Sequence, residues 1–250
     1  IRLSLVGSEM CIRDSSYAGT DYSGWQRQDN AITVQQLVEE SISLKLQEKI
    51  IVVGCGRTDA GVHASKYVLH FDTPVELPGD FIFALNQILP ESIAFQNMSR
   101  VTNNFHARFD ALKRSYIYRL HSRKDPFKNQ LSYYFPRILK CDDQLLNKSA
   151  QFLLDYESFT PFCKTNSDVK TTKCKLTEAL WKHDPMDDSF EFHISSDRFL
   201  RGMVRLIVGS SLQVALGKLS IGQIEEAMQA QKPLPYAWSC LLYTSPSPRD

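Results

Sequence analysis

Apolar and polar positions alternate along this chain with two different periods. Over 34–47, "VQQLVEESISLKLQ", the apolar residues recur at helical spacing, and Thr33 with Gln36 forms a capping box at its start. A short apolar run predicts a strand at 50–53, and the alternation in "KYVLHFDT" (66–73) predicts another. Asp80 is placed to cap a short helix, "FIFALNQIL", which stops before Pro90, and "SIAFQNMSRV" (92–101) reads as a third strand. Further on, a strand is expected at 115–121 and a helix over 142–154 that starts at Asp142 or Asp143. Strands at about 173–183 and 189–195 flank the polar turn "DPMDD". A long helix is expected over 199–216, with Leu200, Val204, Ile207 and Val208 on one face. Ser220 and Gln223 open a last helix that ends at Gln231. "YAGTDYSGWQRQ" (17–28) reads as a strand end followed by a glycine-marked loop.

Strands and helices alternate irregularly in each half. That order predicts an α+β protein of two subdomains, 16–105 and 106–239, each with a mostly antiparallel sheet and helices on one face. No glycine-rich nucleotide fingerprint occurs, so neither a Rossmann nor a P-loop reading has a basis. The 250 residues are 43% hydrophobic and 23% charged, enough for one large core or two smaller ones. No apolar run approaches the length of a membrane span, so a soluble protein with no membrane partner is expected. The six cysteines include no CxxC, which fits reduced thiols in a cytoplasmic protein. His63, His70, His106 and His121 have no zinc-type spacing, and no metal site is expected.

Net charge is only +1, but its distribution is uneven. Between Arg100 and Lys140, ten Lys and Arg stand against two Asp, interleaved with Phe105, Phe109, Tyr116, Tyr118, Phe127, Tyr133 and Tyr134. A basic band with aromatic residues fits contact with a nucleic acid. An ordinary solvated strand pair has the same composition.

The two ends read differently from the rest. One DNA element, read on opposite strands, encodes both residues 4–14 and the closing "CLLYTSPSPRD". It resembles the adapter used in transposon-based sequencing libraries. Residues 1–15 and 240–250 are therefore expected to be non-native, and with them Met10, Cys11 and Cys240.

Three stretches carry candidate chemistry. "GRTDAGVHA" (56–64) sets Asp59 in a turn flanked by Gly56 and Gly61, where backbone can come close to a ligand. A reactive carboxylate has to stay ionised, and a nearby buried cation would achieve that. "DRFLRGMVRLIVG" supplies Arg201 and Arg205 at i,i+4 on an otherwise apolar helix, where an inward arginine wants a carboxylate partner. "RSYIYRL" puts Tyr116 and Tyr118 on one strand face, where a tyrosine stacks on a base or packs in the core. "GWQRQ" adds Trp25, Gln26 and Arg27 on a loop, with groups suited to phosphate or base edges.

"GWQRQ", "GRTDAGVHA", "FHARFDALKRSYIY" and "FLRGMVRLIVG" occur together in this order, and together they closely resemble the tRNA pseudouridine synthase A family. The resemblance spans about 17–239. It implies the pseudouridine synthase fold, two α/β halves with a catalytic cleft between them. It implies isomerisation of uridine to pseudouridine at positions 38, 39 and 40 of the tRNA anticodon stem-loop, without cofactor or metal, by a cytoplasmic homodimer. On the matching motifs, Asp59 corresponds to the catalytic aspartate, Tyr116 to the tyrosine that stacks on the target base, and Arg205 to the arginine that pairs with the carboxylate. Arg57, His63, His106 and Arg108 join Trp25, Gln26 and Arg27 as expected substrate contacts. Family members carry a full strand before "YxGT" and another after "PYAWS", so both sheets are expected to lack a strand here. Two rivals stand against this reading. One is a non-catalytic RNA-binding protein. The other is a glycosidase-like hydrolase, which would want a second carboxylate near Asp59.

Overall fold

The computed structural model describes residues 9–102, 104–164, 170–234 and 239–240, with side chains from Asp14 onward. The chain divides into two compact units, Ile1–Ala111 and Leu112–Asp250.

In the first unit, strands β1 (Glu9–Tyr17), β2 (Val53–Gly54), β3 (Ala64–Thr73) and β4 (Ile93–Val101) form an antiparallel sheet in the order β2-β3-β1-β4. Helices α1 (Val34–Leu46) and α2 (Phe81–Ile88) supply Val34, Val38, Ile42, Phe81 and Leu85 to one core with Tyr67, Leu69 and Phe71 of β3. Successive strand residues face opposite sides, so Val68 and His70 lie on the other face of the sheet. Leu89 is extended because Pro90 follows it, and α2 ends there as expected.

Four expectations change here. The first sheet does not lack its N-terminal strand: β1 runs from Glu9 through the segment expected to be non-native, and it is a central strand. Strand pairing uses backbone groups, which any non-proline residue supplies. The strand expected at 50–53 shrinks to Val53–Gly54, although Ile50 and Val52 are buried. Only half of the Thr33 capping box forms: Thr33 Oγ1 accepts from the Gln36 N–H, while the Gln36 side chain reaches Glu40 instead. Asp80 takes the N-cap position of α2 without a side-chain hydrogen bond.

In the second unit, β5 (Arg114–His121), β6 (Tyr133–Tyr134), β7 (Leu176–Asp184) and β8 (Ser189–Ser196) are ordered β6-β5-β8-β7. Helices α3 (Asp143–Gln151), α4 (Met203–Ala215) and α5 (Ile221–Ala230) pack on this sheet around Leu120, Phe159, Phe162, Phe192 and Ile194. Asp142 caps α3, and Ser220 with Gln223 makes the full reciprocal box on α5. The helix expected to 154 ends at Gln151 and tightens into a 3-10 turn at Phe152–Asp155. Strand β6, parallel to β5, is too short to carry a readable period and was not expected. The long helix starts at Met203 rather than Phe199, because Gly202 sits at φ 72° in the left-handed region. Arg201 therefore precedes the helix, and it does not share a helical face with Arg205.

Candidate active site

In the first unit the structure fastens the GRTDAG loop to the YAGTDYSGW segment by main-chain hydrogen bonds. The Trp25 N–H donates to the Thr58 carbonyl at 3.2 Å, and the Gly61 N–H donates to the Tyr22 carbonyl at 3.2 Å. The Val62 N–H closes the turn on the Asp59 carbonyl, also at 3.2 Å. Gly24 makes this approach possible. Its φ is +88°, and a Cβ there would lie 2.4 Å from the Thr58 carbonyl oxygen. Side chains add to the clasp: Tyr17 Oη and Thr58 Oγ1 are 2.9 Å apart, and the Tyr67 hydroxyl donates to the Gly56 carbonyl.

Three buried aromatic rings belong to the segments that hold this turn. Trp25 and Tyr67 lie 4.2 Å apart between centroids, and Tyr17 meets Tyr67 edge-on at 5.5 Å. Trp25 is 3% exposed, so the structure makes its indole a core group rather than a surface contact for RNA. Asp59 and Arg57 are exposed on the loop. His63 is half-buried, and its Nδ1 accepts from the Gly19 N–H at 3.2 Å. Gln26 is exposed. Arg27, also exposed, reaches back to α1 and pairs with Glu39 at 3.2 Å and Glu40 at 3.5 Å.

His106 and Arg108 lie elsewhere in the first unit, on a loop laid over the helix-free face of its sheet. The Ala107 N–H donates to His70 Nδ1 at 3.1 Å, and the His106 N–H donates to Asp110 Oδ2 at 2.7 Å. The His106 and Phe109 rings lie 4.1 Å apart, tilted by 30°, and the Arg108 guanidinium sits 5.9 Å from the Phe109 ring centre. Burial lowers the pKa of His70, and the neighbouring His106 lowers it further, against the opposing pull of Asp72 and Asp110.

In the second unit, Tyr116 is half-buried on β5 and meets Phe199 edge-on at 5.1 Å. Arg205 lies in the first turn of α4, where its Nε donates to the Cys240 carbonyl at 2.8 Å. The Tyr118 hydroxyl donates to Cys240 Sγ at 3.1 Å, which ties the buried Tyr118 to the same residue. A cavity of about 470 Å³ in this unit is lined by Tyr133, Phe135, Arg137, Gln213, Leu216 and Lys218; Tyr133 and Arg137 belong to the basic band, and none of the six is among the expected site residues.

Reading for reactive groups missed Tyr17, Tyr22, Tyr67 and Thr58, which hold the Asp59 loop. Their signal was the density of Tyr, Thr and Gly in "YAGTDYSGW" and the inward position of Tyr67 in an alternating strand. The basic band is also partly neutralised. Arg100, Arg119, Arg123 and Lys128 pair with Glu76, Glu191, Asp188 and Asp187, none of which lies in the band.

A family profile described as tRNA pseudouridine synthase matches residues 15–110 and 155–240, which include Asp59 and Arg205. The tRNA pseudouridine synthase A of Porphyromonas gingivalis is 45% identical over 219 residues, covering 86% of each chain. That of Bacteroides fragilis is 42% identical over 218 residues, covering 86% of this chain and 85% of its own. That of Bacillus subtilis is 34% identical over 221 residues, covering 86% of this chain and 88% of its own. On the extent of these matches, this chain belongs to the tRNA pseudouridine synthase family.

Proposed function

We propose that this protein isomerises uridine to pseudouridine in the anticodon stem-loop of tRNA, at positions 38, 39 and 40. One observation carries the reading: in a chain of this family, Asp59 is an exposed carboxylate on a loop whose backbone is fastened on both sides. Asp59 is the reactive carboxylate. Tyr116 stacks on the target base, and Arg205 supplies the cationic side chain of the reaction. The exposed Arg57, Gln26, Arg27 and Arg108, with His63 and His106, offer N–H groups and imidazoles to phosphates and base edges. The protein works as a cytoplasmic homodimer. Among the described residues, no helix is long and apolar enough to cross a membrane.

The chemistry is a rearrangement. The N1–C1′ bond of uridine breaks, the uracil turns, and a C5–C1′ bond forms. C5 loses a proton and N1 gains one, so substrate and product have the same composition. The rearrangement is redox-neutral, and its stoichiometry calls for no cofactor. The target nucleotide has to leave its stack to be reached. An ionised Asp59 has three routes: addition to C6 of the base, attack on C1′, or removal of a ribose proton while the base is detached.

The test is the product formed from an unmodified tRNA transcript. Nucleoside mass spectrometry should find an isomer of uridine with unchanged mass. Free uracil and an abasic ribose would favour the hydrolase instead. Bound but unaltered RNA would leave a non-catalytic RNA-binding protein.

A further inference from the structure

We infer that His70 is a positioning residue: its Nδ1 pins the loop 104–111 to the helix-free face of the first sheet and so sets the presentation of Arg108. The functional half of this inference rests on the tRNA reading above. His70 is 6% exposed on β3, facing away from α1 and α2. The loop covers it. Ala107, 2% exposed, directs its N–H at His70 Nδ1, 3.1 Å away. Phe105 meets the imidazole edge-on at 5.9 Å, and His106 meets it at 5.1 Å.

Further bonds shape the loop from within. His106 Nδ1 accepts from the Arg108 and Phe109 N–H groups, at 3.2 and 3.3 Å. The His106 carbonyl accepts from the Phe109 and Asp110 N–H groups, at 3.0 and 2.9 Å. These bonds shape a compact turn. The buried bond from Ala107 to His70 fixes the turn to the sheet, and an unsatisfied buried N–H is costly.

An imidazole that accepts at Nδ1 carries no proton there, so protonation of that nitrogen removes the anchor. The groups that face His70 are His106 and Asp110 from the loop and Asp72 from its own strand; its neighbours in register, Val53 of β2 and Ile12 of β1, carry no charge. Burial and His106 hold His70 neutral against the two aspartates. The anchor is therefore intact at neutral pH and is released as pH falls below the ordinary histidine range.

The test compares His70→Asn, His70→Gln and His70→Leu in the full chain. Asn places an oxygen near the position of Nδ1, whereas Gln places it further out. Amide hydrogen exchange is read at Ala107. The wild type and His70→Asn should protect this amide, while His70→Leu and His70→Gln should exchange it about tenfold faster. The KM for tRNA should rise about tenfold in the Leu and Gln variants, with kcat nearly unchanged. Equal protection at Ala107 in all four proteins would overturn the anchor. If the Leu variant unfolds, the Asn and Gln pair still decides, and equal loss of protection in both also rejects it. Lost protection with an unchanged KM would overturn the positioning role while leaving the tRNA reading intact. If no variant or wild type modifies tRNA, the tRNA reading has failed and the positioning role falls with it, while the exchange data still decide the anchor.

Discussion

Among the described residues each unit builds a sheet of four strands, yet the two present their candidate residues by different means. Asp59 of the first unit rides on an irregular turn, held by backbone bonds to Tyr22 and Trp25 and flanked by the ring group of Tyr17, Trp25 and Tyr67. Tyr116 and Arg205 of the second unit stand on regular elements, a strand and the first turn of a helix. The difference teaches where precision comes from. A strand or helix places a side chain by its own repeating geometry. A loop does so only if other segments of the chain lock it, and here the lock depends on a glycine at position 24.

The comparison can be broken at its most sensitive point by Asp59→Asn, which keeps size and hydrogen-bonding shape but removes the charge. Turnover should fall by about a thousandfold or more while tRNA affinity changes little. Single-turnover kinetics beside a filter-binding titration separate the two. Appreciable turnover would end the role assigned to Asp59.

The next largest effect is on the loop rather than the reactive group. Gly24→Ala meets both the left-handed backbone and the Thr58 carbonyl, and should cost about 3 kcal/mol of stability. Denaturant unfolding of the two proteins measures it.

Tyr67→Phe sharpens the comparison without breaking it. It removes the hydroxyl that donates to the Gly56 carbonyl but keeps the ring beside Trp25. The loss should be about 1 kcal/mol, seen as a small shift of the denaturation midpoint.

The smallest effect should be in the second unit, at His121. It is buried at the end of β5, with its Nδ1 bonded to Ser132. Burial lowers its pKa first and Lys128 next, with Asp125 opposing. The folded state therefore favours the neutral ring, and the unfolded chain takes up the proton more readily. That stability is complete above the ordinary histidine value and declines as pH falls through the lower folded value. Unfolding at about pH 7.5 and about pH 5 should show this decline, less so in His121→Gln. An identical pH response in both proteins would remove His121 from the account.

The contrast also explains what was legible in the sequence. Strands β3, β4, β5, β7 and β8 and all five helices were readable because one buried face imposes a period of two or of nearly four. The start of α4 was misplaced because Phe199 and Leu200 continue the apolar pattern past the point where Gly202 turns the chain. Strand β1 was set aside because its first residues read as foreign, yet the ladder asks only for backbone. In the candidate site, Asp59 was visible as a residue type in a motif. The fastening by Tyr22, Trp25 and Thr58 was not, since hydrogen bonds between distant loops leave no period. Trp25 was misjudged for the same reason: a tryptophan beside charged and amide neighbours on a loop gives no sign that its ring is buried.

The most direct test of the central claim is a pseudouridine map of an unmodified tRNA transcript after incubation with the wild-type chain and with Asp59→Ala. The account predicts pseudouridine only at positions 38, 39 and 40, and none with the variant. Pseudouridine at those positions with Asp59→Ala, or none from a folded wild-type protein that binds the RNA, would contradict it.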